Sequence, residues 1–88
     1  MHDHALDVRR KRLLYRSRYR GCLECDLLLG RFAERYLPYF AEAQLERFER
    51  LLDEPDADIL AWLTKRRRLP ARHDHDVFHL LADFVTNP

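Results

Sequence analysis

The stretch "YRGCLECDLLLGRF", Tyr19–Phe32, decides how the chain folds. Its apolar residues Cys25, Leu28, Leu29 and Phe32, with Tyr36 beyond, recur at the three- and four-residue spacing that lines one face of an α-helix. Leu23 and Leu27 are expected to widen that face. Gly21 stands where a helix commonly ends or bends, and Pro38 stops the next one. One helix is therefore expected from Cys22 to about Leu37. Another precedes it, from about Asp7 to Tyr19, with Leu13, Leu14 and Tyr15 on its less polar side.

The same period continues outward. Leu45, Phe48, Leu51 and Leu52 give a third helix from about Glu42 to Asp53, and Pro55 marks the turn after it. Asp56 is expected to cap a short fourth helix carrying Ile59, Leu60, Trp62 and Leu63. "KRRRLPARHD", residues 65–74, reads as a loop. Asp74 or Asp76 then caps a last helix with Val77, Leu80, Leu81 and Phe84. No useful alternating apolar/polar run and no repeat accompany these segments. The fold class is all-α: a single compact bundle of about five short helices, one domain over residues 1–88, with 1–6 and 85–88 expected as flexible ends.

The formal net charge of +1 lacks the basic excess of a dedicated nucleic-acid binder. Its distribution is uneven. Residues 1–20 hold seven Arg or Lys against two Asp, and residues 34–58 hold eight acids against three Arg. A basic and an acidic face on one small domain suit docking to a protein surface of matching charge pattern. No run approaches the roughly 18 apolar residues of a membrane span, and "MHDHALDV" has no apolar signal core. The expectation is a soluble, cytoplasmic protein without membrane insertion, its two cysteines reduced.

Two patterns compete in the opening stretch. Cys22 and Cys25 form a CxxC pair, and with His75 and His79 a Cys2His2 zinc site can be drawn. Zinc-finger spacing separates the pairs by about a dozen residues, whereas about fifty intervene here, so no metal is expected. A thioredoxin-like role needs a strand before the motif, and none is visible. Cys25 is then a small core residue and Cys22 a half-exposed thiol. The two His-Asp-His triplets, at His2–His4 and His73–His75, lack a nucleophile and read as solvated, capping or terminal residues; catalysis is not expected. Arg9–Arg12 and Lys65–Arg68 are candidate phosphate patches, with Tyr15 and Tyr19 the aromatics at hand. They leave a small helical nucleic-acid-binding or regulatory protein as the alternative function.

The second pattern is Arg20-Gly21-x-x-Glu24. Gly21 offers bare backbone for a tight turn or for close approach of another surface, flanked by opposite charges. Arg20 and Glu24 could pair, although Arg before Glu at i, i+4 is the weaker order, worth only a few tenths of a kcal/mol.

On "KRLLYRSRYRGCLECDLLLGRF", Lys11–Phe32, which carries an RGxxE signature at Arg20, Gly21 and Glu24, the chain resembles the SdhE-type family of small bacterial and mitochondrial succinate dehydrogenase assembly factors. "AQLERFERLLDEPDADILAWL", Ala43–Leu63, resembles that family's acidic third helix, turn and Trp-Leu pair. The resemblance implies a five-helix bundle and a binding protein, not an enzyme, that promotes covalent attachment of FAD to the flavoprotein subunit of succinate dehydrogenase, with fumarate reductase as a further partner. It implies that FAD and its acceptor histidine belong to the partner, that this chain binds no cofactor, and that no nucleic acid is involved. Arg20, Gly21 and Glu24 would form the contact centre, with Arg16, Arg18 and Asp26 around it. Family members mostly lack the two cysteines, and a glycine often follows the Trp-Leu-Thr segment, where this chain has Lys65.

Overall fold

The computed structural model of the chain describes residues 7–87. The segment 1–6, with the first His-Asp-His, lies outside the described residues. Five α-helices and no strand occur among the described residues: α1 Val8–Arg18, α2 Leu23–Tyr36, α3 Glu42–Leu52, α4 Asp56–Leu63 and α5 Asp76–Thr86, with short 3-10 turns at Leu37–Tyr39 and Ala71–His73. The all-α bundle expected from the apolar period is the fold found. Val85 and Thr86, in the segment expected to be a flexible end, belong to α5, and Val85 packs against the core.

Most of the core comes from the expected stripes, but Phe78 joins it from outside them, and Leu28, Leu60, Leu63, Leu80 and Phe84 are only half-buried. Leu13 and Leu14 of α1, Cys25, Leu29 and Phe32 of α2, Leu45, Phe48, Leu51 and Leu52 of α3, Ile59 and Trp62 of α4, and Val77, Phe78 and Leu81 of α5 are all buried. Phe32 touches four aromatic neighbours, Tyr36, Phe40, Phe48 and Phe84, with ring centroids 5.0–6.1 Å apart. Truncating so enclosed a ring to Ala costs about 3–5 kcal/mol, because the removed area leaves a cavity the helices cannot close.

α1 and α2 form an antiparallel hairpin. Arg18 abuts Gly30, where a Cβ would lie 3.2 Å from the Arg18 Cγ, while Arg10 reaches Leu37 at the far end of α2. With that register the first turn of α2 extends past the end of α1. The intervening turn depends on Gly21, whose φ of +94° is a left-handed value that side chains rarely adopt.

Three local expectations are corrected. Pro55, not Asp56, occupies the N-cap of α4, and Asp56 is its first residue. The cap of α5 is neither Asp74 nor Asp76 but His75, whose Nδ1 accepts from the Phe78 N–H at 3.2 Å. His73 is a core residue rather than a solvated one: it is buried, packs 5.2 Å from Trp62 and places Nε2 2.6 Å from a Glu54 carboxylate oxygen. The end of α4 explains the departure at Lys65. Lys65 N–H donates to Trp62 O and Arg66 N–H to Ala61 O, the paired bonds that close a helix through a left-handed residue. Lys65 is that residue, at φ 60°, and bears a conformation better suited to glycine.

Candidate docking site

The six residues singled out by the sequence divide into two sets. Arg20 turns inward. Its side chain is only 9% exposed, with Nη1 donating to Leu52 O at 2.8 Å, Nη2 to Glu54 O at 2.7 Å, and Nε to the Asp56 carboxylate. The last carbonyls of a helix have no partner of their own, so one guanidinium closes the end of α3 and holds the α3–α4 turn against the α1–α2 junction. The weak Arg20–Glu24 pair that their spacing allowed is therefore not made. Asp26 serves the same junction, accepting from the Arg20 backbone N–H at 2.6 Å. Arg16 pairs with Asp53 at 2.7 Å and Arg18 with Glu34.

Gly21 and Glu24 make up the second set. Both are exposed, and among the described residues Glu24 enters no ion pair or hydrogen bond. A Cβ placed at Gly21 would meet no atom within 4 Å. Its backbone thus needs glycine for φ, and the space outside it is open to an incoming surface. Glu24 lies in the first turn of α2, where a carboxylate is favoured by the unpaired N–H groups.

Around these two lies an apolar rim. Tyr15 and Tyr19 are 65% and 66% exposed with rings 4.6 Å apart, and Leu23 and Leu27 are 76% and 47% exposed. The leucines were expected to widen the core face and do not. Each is two residues from Cys25, about 200° around the helix, which the sequence already contains as a signal that they face away from the core. Tyr19 borders two surface hollows, one lined by Arg18, Asp26, Leu27, Gly30, Arg31 and Glu34, the other by Tyr15, Arg16, Arg20, Pro55 and Asp56.

The cysteines do not meet the histidines of the drawn zinc site. The atoms that come together are the Cys22 and Cys25 sulfurs and an Asp56 carboxylate oxygen, all within 4.8 Å of one another. Burial, and then a hydrogen bond with Cys22, push the Cys25 thiol up to about 12.

The basic face of α1 and the acidic face of α3 meet inside the chain. Arg9 pairs with Glu42 and Glu49, Arg16 with Asp53, and Arg10 donates to Leu37 O and Phe40 O at and just past the end of α2, and to Asp7, the N-cap of its own helix. Much of the charge expected to face a partner instead stitches helices together. Among the described residues no helix is long and apolar enough to cross a membrane.

A family model described as the flavinator of succinate dehydrogenase matches residues 11–85. The chain is similar to "Succinate dehydrogenase assembly factor 2, mitochondrial" of Danio rerio, 45% identical over 94% of this chain and 54% of the relative. The protein of the same name in Meyerozyma guilliermondii is 51% identical over 92% and 63%, and that of Scheffersomyces stipitis 58% identical over 68% and 40%. The chain spans about half the length of the curated relatives it matches. On a match that runs from α1 into α5, the chain belongs to the flavinator of succinate dehydrogenase family.

Proposed function

We propose that this protein is an assembly factor that binds the flavoprotein subunit of succinate dehydrogenase and promotes covalent attachment of FAD to it. Family membership over residues 11–85 carries this reading. The docking centre is the rim formed by Gly21, Glu24, Tyr15, Tyr19, Leu23 and Leu27. Arg20 and Asp26 hold its shape from within, and Arg16 and Arg18 brace its edges.

The contribution is positional. Holding the flavin and the acceptor side chain of the partner in near-attack geometry removes several kcal/mol from a barrier without any catalytic group on the helper. Neither FAD nor a metal needs to be held by this chain. A dinucleotide is gripped by a glycine-rich turn, and the two glycines here lie apart, Gly21 in a turn and Gly30 buried within α2. The flavoprotein subunit of fumarate reductase, which poses the same positional problem, is included as a second partner. The place of action is the cytoplasm or its organellar equivalent, wherever the flavoprotein subunit folds; the relatives bear the word mitochondrial in their names.

Family membership does not favour the nucleic-acid alternative. Arg9, Arg10 and Arg67 of the two basic patches are engaged with groups of the same chain, which thins both patches without removing them.

The test is covalent flavin on the flavoprotein subunit, read by in-gel fluorescence with and without this chain. Flavinylation that is accelerated by the wild type and not by Glu24→Ala supports the reading. Equal flavinylation without the chain would sink it.

A further inference from the structure

We propose that Cys22 and Cys25 form a reversible thiol–disulfide couple beside the docking rim, oxidised by a small disulfide of the glutathione class. The inference rests on the proposed docking function only for its consequence, not for its chemistry. Cys22 occupies the N-cap of α2, where its side chain makes no capping bond, and is half-exposed. Cys25, three residues on, is 1% exposed and fixed in the core. Their sulfurs lie within 4.8 Å, so one closure makes a bond that needs no third residue. A metal would need Asp56 as a third ligand, and that carboxylate is already held by the Arg20 guanidinium.

Exposure sets the order of events. The Cys22 thiolate attacks one sulfur of the small disulfide, forming a mixed disulfide and releasing one thiol. Cys25 then loses its proton and its sulfur attacks the Cys22 sulfur, releasing the second thiol. Two protein thiols become one disulfide, and one glutathione disulfide becomes two glutathione molecules. With its thiol pushed up to about 12, Cys25 is almost all protonated at neutral pH, so the second step is slow.

The bond draws the sulfurs to about 2.0 Å. Because Cys25 is anchored among core side chains, Cys22 does the moving, and it adjoins Gly21 and the turn carrying Glu24. Oxidation therefore distorts the rim and weakens docking, while the reduced chain is the active form.

The experiment incubates the full chain in glutathione buffers of graded potential, quenches with an alkylating agent and measures intact mass. The expected product has lost two hydrogens and retains no glutathione, whereas Cys25→Ala keeps a glutathione on Cys22. Oxidised wild type should bind the flavoprotein subunit about tenfold more weakly, a loss reversed by thiol reductant. The Cys22→Ser/Cys25→Ala double variant should bind like reduced wild type at every potential. A glutathione still retained by the wild type once the mass no longer changes with time, no reaction of either cysteine in the folded chain, or zinc recovered with the purified protein would each overturn the couple. A disulfide that forms without altering binding, when Glu24→Ala does weaken it, would overturn the consequence for docking. If reduced wild type does not bind the subunit at all, the proposed function fails, and the couple is still judged on mass.

Discussion

The two sides of the α1–α2 hairpin invert the usual division between polar surface and apolar interior. On the inner side Arg10 and Arg20, with side chains 20% and 9% exposed, are spent on backbone carbonyls and carboxylates of the same chain. On the outer side Tyr15, Tyr19 and Leu23 are about two-thirds exposed or more. Charge here closes helix ends, and apolar surface is left for something else to cover. The difference teaches that an arginine-rich helix need not face a partner. Each guanidinium offers five donors in a fixed fork, and a helix end offers carbonyls that want them.

Arg20→Ala should have the largest effect, and on stability. It leaves the Leu52 and Glu54 carbonyls and the Asp56 carboxylate without their donor in a nearly buried setting, a loss of about 3 kcal/mol. Arg20→Lys should recover only part of it, since an ammonium cannot span three acceptors as the planar fork does. Thermal unfolding of both variants measures this. An Arg20→Ala chain as stable as wild type but unable to dock would place Arg20 on the outer side and break the comparison.

Glu24→Ala is the opposite case. Alanine suits a helix, so unfolding should change by less than about 0.5 kcal/mol. Binding to the flavoprotein subunit should weaken by about 2 kcal/mol, because a partner cation in a desolvated contact loses its counter-charge. Titration calorimetry beside thermal unfolding reads the two effects separately. A Glu24→Ala chain that binds normally would move the docking centre to the tyrosines.

How much of this was legible follows from the range of each interaction. The five helices, Gly21 as the turn and most core positions were readable because they depend on neighbours within a turn or two of helix, although Phe78 was missed and Leu80 stays half-buried. The partners of Arg20 and Arg9 lie more than thirty residues away in sequence, and nothing local selects Asp56 over Glu24 or Glu42 over solvent. Local reading therefore offered Arg20 to a partner that the fold had already supplied. The outward leucines are a different kind of miss. Their spacing from Cys25 was available, but an apolar residue invites assignment to the core. The meeting of Cys22, Cys25 and Asp56 is again long-range, since it needs the α3–α4 turn folded back on α2.

Lys65→Gly should separate the two sides from the other direction. Lys65 holds φ 60° at the end of α4, a conformation that costs a residue with a side chain about 1 kcal/mol and glycine little. The variant should unfold later by about that amount, slightly offset by the greater freedom of glycine in the unfolded chain, with docking unchanged. A change in binding would bring the 65–68 segment into the contact and extend the outer side beyond the hairpin.

The smallest effect concerns pH, and it probes a third way of closing a helix end. His75 caps α5 through Nδ1 acting as an acceptor, which requires that nitrogen to be unprotonated. Burial, and then the nearby His73, hold the His75 pKa below its ordinary 6.5, with Arg47 adding to the effect and Asp76 opposing it. As pH falls below 6.5 the unfolded chain takes up a proton at this position that the folded chain resists, so stability declines until the lower folded value is passed. Glu54, whose carboxyl is held down by hydrogen bonds from His73 and then Arg72, acts in a lower window: its contribution is present above its ordinary 4.5 and lost as pH falls through its folded value. Between 6.5 and 4.5 the decline attributable to position 75 should vanish in His75→Asn, because an asparagine oxygen caps the same N–H without titrating. Chemical denaturation at a series of pH values measures both slopes. An unchanged slope in His75→Asn would mean that this cap does not sense protons, leaving acid sensitivity to the carboxylates that pair with the inward-facing charges.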